Sequence, residues 1–276
     1  MLAFGGRTTP SLRSRTTGFT LIEMIVVLAI LVVLAGILIP KLDRVKLRAN
    51  KGSAAYSIAQ VNSTIQTFYT LQNLYPDNWD SLLTSGGTPA LWAPTATGPG
   101  LDPQLTGGPP AGSPQKATTT TLTQTGGTKY IRSLTRIGIT TVLDVNAASP
   151  ASPPGFAFNQ PRLIGGASGT ADTLVATFDN TAGSDGAAII ARWYPTGLPT
   201  DKRIAVFGFG PLNSAVNSIV AEVPEYANTN PNQYYNRFLC AFEVSESGSR
   251  ARFLGATASD GDTKAEESAD YYDPGT

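Results

Sequence analysis

Gly18-Phe19-Thr20-Leu21-Ile22-Glu23 opens the stretch that decides this fold, GFTLIEMIVVLAILVVLAGILIPKL, residues 18–42. From Phe19 to Ile39 there are twenty-one residues with a single charge, Glu23. About twenty helical residues at 1.5 Å each cross a hydrocarbon core of roughly 30 Å. A cleaved secretory signal would have an apolar region of about 7–15 residues ending at a small-residue site. This run is longer and ends in Ile39-Pro40-Lys41, so a retained membrane helix is expected. A lone carboxylate in such a span is costly. Thr20 to Glu23 nevertheless has the form of a capping box, with Thr20 as N-cap and Glu23 at the third helical position. An acid there also suits the helix dipole.

Outward from this stretch the chain changes character twice. Residues 1–18 carry Arg7, Arg13 and Arg15 and no acid. After the span come Lys41, Arg44, Lys46, Arg48 and Lys51 against Asp43 alone. By the positive-inside rule that count would put the C-terminal part in the cytoplasm. Ala54, Ile58, Val61, Ile65 and Phe68 then recur at helical spacing, one apolar stripe that predicts packing on the chain's own sheet. Tyr75-Pro76 is the expected end of the helix. A continuous helix from Phe19 to Tyr75 would be about 85 Å long. Pro40 removes one backbone hydrogen bond and is expected to kink it.

Beyond the helix, Asp77 of PDNWDSLL is expected to cap a short helix burying Leu82 and Leu83. Residues 84–128 are rich in Gly, Pro and Thr and predict a long loop, pinned by Trp92. From Tyr130 the pattern predicts strands at 130–143, 173–179, 187–194, 203–209, 217–222, 237–244 and 250–254, the last pair joined through SESGS at 245–249. Residues 149–170 read as another loop, and the acidic residues from Asp260 as a frayed, solvated tail. The fold class is therefore α+β, a long N-terminal membrane-spanning helix packed on a mostly antiparallel sheet. The expected divisions are a leader at 1–18, the span at 19–40, its amphipathic continuation at 41–76, a short helix and loop at 77–129, and a β-domain at 130–276.

Composition argues against an enzyme. The 276 residues have no histidine, so the commonest general base and every Ser-His or Cys-His pair are excluded. One cysteine, Cys240, forbids an internal disulfide and reads as a small buried hydrophobe. Net charge is zero and only 14% of residues are charged, with no basic stripe beyond 41–51, so nucleic acid is not an expected partner. FGFGP at 207–211 is no dinucleotide loop, because Pro211 interrupts it. Gly36 has no second glycine at helix-packing spacing. Asn62-Ser63-Thr64 fits a glycosylation sequon, but within a helix.

The span and its leader resemble the type IV pilin and type II secretion pseudopilin family. The resemblance lies in Gly18-Phe19-Thr20-Leu21-Ile22-Glu23, a basic leader before it and an unbroken apolar helix after it, roughly the N-terminal quarter of the chain. YPDNWDSLL is a weaker likeness to the step that ends the long helix. The resemblance implies cleavage between Gly18 and Phe19 by a prepilin peptidase, N-methylation at Phe19, and anchoring in inner-membrane lipids. It further implies assembly on a platform with other subunits, the helix forming the filament core. Glu23 would pair with the Phe19 ammonium of a neighbour, and Pro40 would mark a local bend. The leader would be cytoplasmic and the β-domain outside, against the charge count. No cofactor is implied. Some pseudopilins bind calcium near the C-terminus, but SDGDTKAEE at 259–267 fails the EF-hand pattern, and no metal is assigned. The basic residues 41–51 suit lipid headgroups, or the acidic tail of another subunit. The alternative to a structural subunit is a filament-displayed binding subunit, an adhesin or uptake tip.

Overall fold

A computed structural model describes residues 19–84, 90–92, 100–107, 115–123, 129–144, 159–163, 173–227, 229–230 and 233–272. It divides into two units, Met1–Lys46 and Leu47–Thr276.

The first unit is helical from Leu21, where α1 (Leu21–Gln72) begins. Its apolar side chains are exposed on every side, from Phe19 at 83% through Val26 at 51% to Ile39 at 58%. A helix apolar all round belongs in a nonaqueous surrounding, and this one is long and apolar enough to cross a membrane. The helical assignment continues through position 40.

In the second unit α1 becomes amphipathic. Ala54, Ile58, Val61 and Ile65 are buried, and Phe68 packs against the same core. The helix stops at Gln72, three residues before Tyr75, because Asn73 turns left-handed at φ 55° and its amide donates to Tyr69 O at 2.7 Å. Tyr75 then stacks on Tyr69 with ring centroids 4.5 Å apart.

The elements that follow are β1 (Trp79–Asp80), α2 (Pro103–Thr106), β2 (Ala117–Leu122), α3 (Tyr130–Thr135), β3 (Thr141–Asp144) and β4 (Asn159–Leu163). They are succeeded by β5 (Thr173–Phe178), α4 (Asp185–Trp193), β6 (Lys202–Gly208), β7 (Leu239–Ser245), β8 (Arg252–Thr257) and α5 (Lys264–Tyr272). The sheet order is β2-β5-β6-β1-β3-β4, and it branches at β6, which also pairs with β7, as β7 does with β8. Only β1–β3 is parallel among these pairs. β6 and β7 are buried on both faces. Ala205, Phe207, Cys240, Phe242 and Val244 join the core beneath α1, while Ile204, Val206, Leu239 and Ala241 join a second core with Ile189 and Ile190 of α4. The alternation is the two-residue period of a strand.

Several sequence expectations need correction. Asp77 caps no helix: its carboxylate accepts the amides of Thr140 and Thr141 at 2.9 and 2.8 Å, tying the chain to β3. Leu82 and Leu83 are buried as expected, but after a strand. The stretch 130–143 splits into helix and strand, since Ile131 and Leu134 are buried one turn apart and Ser133 hydroxyl donates to Ser245 O. The expected strand 187–194 is helix α4. Ser184 Oγ caps it, accepting from Ala187 N at 3.0 Å, and Gly186 lets it approach the backbone of Lys116 and Asp179. At 217–222 there are turns, with Ala215 O accepting the amides of Ser218, Ile219 and Val220. The presumed loops contain β2 and β4, while most of their remaining residues lie outside the described ones. Trp92 is buried as expected. As far as Tyr272 the tail is not frayed, and its acids are not all solvated: Asp260 and Glu267 are buried, and α5 is a helix.

Candidate functional site

At the start of α1 the capping box is formed in both directions. Glu23 N donates to Thr20 Oγ1 at 3.3 Å, while Glu23 Oε2 accepts from Thr20 N at 2.7 Å and from Thr20 Oγ1 at 2.8 Å. The box satisfies helix-end amides that have no partner within the helix. It also gives the one acid of the span two local donors. Glu23 Oε1 takes part in none of these bonds and stays available at an exposed helix start. Phe19, 83% exposed, is the first described residue. Gly18 and the leader lie outside the described residues.

This geometry sits inside a known signature. Residues 13–39 match the prokaryotic N-terminal methylation motif. The chain carries a prepilin-type signal. The motif marks type IV pilin and pseudopilin signals, and it implies processing by a prepilin peptidase and assembly with other pilins. The prepilin signal and the apolar helix near the N-terminus, the one such helix among the described residues, fit a membrane-anchored protein of pilin-like class. No curated protein and no solved structure is significantly similar to the chain. The prepilin signal therefore stands as the matched segment, and the sheet domain is understood from its own residues.

The second concentration of charge joins that domain's ends. Lys51 Nζ of α1 lies 3.1 Å from Asp262, 3.4 Å from Glu267 and 3.0 Å from Asp270. Lys116 Nζ meets the other oxygen of Asp262 at 2.5 Å. Tyr226 hydroxyl donates to Asp260 at 2.7 Å. Burial alone would lower the pKa of Lys51, but Asp270, Glu267 and Asp262 hold it well above the ordinary lysine value. Burial raises Asp262 less than Lys116 and Lys51 lower it, leaving it below the usual range. Glu267 is pushed up to about 7 by burial, offset in part by Lys51 and reinforced by Asp260. The acidic tail thus engages the basic stretch of its own chain at Lys51. Lys41, Arg44, Lys46 and Arg48 remain exposed along α1.

Sequence reading missed this cluster because Lys51, Lys116, Tyr226 and Asp260 are far apart in the chain. It also missed Asp80, fully buried, whose Oδ2 accepts from Tyr235 hydroxyl at 2.6 Å while Oδ1 has no hydrogen-bond partner. Burial pushes Asp80 up to about 7, with Tyr235 and Arg237 pulling the other way. FGFGP serves this residue: a side chain at Gly210 would collide with the Asp80 carboxylate. Cys240 is buried, and burial pushes its thiol well up, as suits an inert hydrophobe. Asn62 of the sequon is half-buried and bonded to Ala256 N.

Proposed function

We propose that the chain is a structural subunit, a prepilin or pseudopilin, of a type IV pilus-like or type II secretion filament, and not an enzyme. The methylation motif at 13–39 carries this reading. A peptidase cuts between Gly18 and Phe19 and methylates the new amino group. The mature helix anchors the subunit in the inner membrane, with the leader cytoplasmic and residues 41–276 on the far side. It then enters the filament core on an assembly platform. Lys41, Arg44, Lys46 and Arg48 lie where lipid headgroups are met on leaving the span.

Glu23 has a double use in this reading. The box with Thr20 stabilises its charge while the helix is in lipid, and the Phe19 ammonium of a neighbour pairs with it on assembly. Such a pair sets register more than it stabilises. Pro40 is the place where the helix bends during that transfer. N-terminal sequencing from cells containing the peptidase tests the processing step; a mature start other than Phe19 would sink it. The alternative, a filament-displayed binding subunit, has a candidate contact in a groove of about 690 Å³ lined by Gln60, Pro211, Val216, Glu222 and Arg237.

A further inference from the structure

We propose that the segment from Asp260 to Tyr272 is held on α1 by a proton latch, in which Lys51 and Lys116 neutralise two of the four carboxylates around them and protons neutralise the excess, so that alkaline pH releases the segment. The four carboxylates are Asp260, Asp262, Glu267 and Asp270; the two ammoniums reach the last three across four ion pairs, and Asp260 accepts from the Tyr226 hydroxyl. Carboxylate oxygens of Asp260, Asp262 and Glu267 lie within 4.8 Å of one another. Like charges at that separation, largely out of water, repel strongly.

Glu267 is the decisive member. It is 0% exposed, and neither of its oxygens has a hydrogen-bond partner. An ionised carboxylate in that state lacks the donors that would replace its hydration. A protonated one supplies its own donor to a cluster rich in acceptors. Tyr226 cannot serve both acids, because its one hydroxyl proton goes to Asp260 Oδ2. The Asp262 oxygens are already taken, one by each lysine.

Every element packed around the cluster contributes a charged or titratable group. Lys51 comes from α1, Lys116 from the residue before β2, Asp102 from the residue before α2, and Tyr226 from the turn region before β7. On α5, Asp270 faces Lys51, while Glu266 is drawn off by Arg192 of α4 at 3.1 Å. α5 lies close against α1 at a second point, where a side chain at Gly52 would come to 3.2 Å from the Tyr271 ring.

The direction of the response follows from burial. Glu267, at about 7, and Asp260 both lie above their ordinary values. The contribution of Glu267 is complete below the ordinary carboxylate range and is lost as pH rises through about 7, and that of Asp260 is lost in the same direction. Asp262 is shifted the other way, so its contribution fails only in acid.

Hydrogen–deuterium exchange on the full chain in detergent, corrected for intrinsic rates, tests the latch. Protection of residues 264–272 should fall about tenfold or more between about pH 6 and pH 8.5, and by more than the protection of β7, which reports only the global change. Glu267→Gln should abolish the dependence. Asp270→Asn, which removes a like charge and frees Lys51 for Glu267, should weaken the dependence and move it to lower pH. Wild-type protection that is flat across this range would overturn the latch. So would protection at about pH 6 that is lost on adding a chelator, since a divalent cation would then be neutralising the acids.

Discussion

Asn62 Oδ1 accepts the backbone amide of Ala256 at 2.9 Å, so a side chain of α1 closes the open edge of β8. Among the described strands β8 pairs with β7 alone, and an unpaired edge is a template for another chain. Asn62→Leu should leave that half-buried amide without an acceptor and destabilise the domain by about 1–3 kcal/mol. Asn62→Asp, which keeps the oxygen, should lose much less. Chemical denaturation of the two variants side by side measures the difference.

The Thr20–Glu23 box predicts a separation of folding from assembly. Glu23→Gln keeps an oxygen for the Thr20 donors but removes the charge. Helicity at residues 21–25, followed by amide chemical shifts in micelles, should persist, while filament assembly fails. Normal assembly of Glu23→Gln would show that the cap alone is what assembly requires.

Asp80 should make the sheet domain less stable as pH rises. Its folded value of about 7 lies above the ordinary 3.8, so its contribution is complete in acid and is lost through neutrality. The full loss is on the order of 4 kcal/mol. Asp80→Asn should flatten the dependence of the thermal midpoint between about pH 5 and pH 8. This response is global, whereas the α5 latch is local.

Gly210→Ala should be severely destabilising, because the new methyl collides with the Asp80 carboxylate, itself buried and bonded to the Tyr235 hydroxyl. A loss of about 2–4 kcal/mol is expected, as for overpacking or displacing a buried polar group. The double variant with Asp80→Ala should recover part of it, and the coupling is read from a thermodynamic cycle.

Lys51→Met should cost about 3–5 kcal/mol at neutral pH, as for a buried ion pair broken on one side. Its three carboxylate partners would be left with Lys116 alone among the described lysines around them. Lowering the pH should restore part of the loss. Thermal unfolding of the variant at two pH values checks the sign.

The helix was legible in the sequence because two patterns coincide in it: an unbroken apolar run, then Ala54, Ile58, Val61 and Ile65 at one-turn spacing. β5, β6, β7 and β8 were legible as β-branched and aromatic runs between turns. Residues 187–194 misled because AAIIARWY suits a buried strand as well as a helix; the deciding signals were Ser184 and Gly186, just before it. The tail misled for a different reason. Local composition counted its acids as solvated, but their partners are Lys51 and Lys116, some 210 and 146 residues away. No local pattern encodes that pairing. The box at Thr20 was legible because capping is local chemistry.

The chain keeps two sets of apolar side chains apart. Those from Phe19 to Val45 are left bare, whereas Ala54, Ile58, Val61 and Ile65 are covered by their own sheet. A fragment cut before Leu47 would retain the covered stripe, the Asn62 closure of β8 and the lysine at 51. Such a severed piece should fold in plain buffer without detergent, leaving behind only the greasy rod.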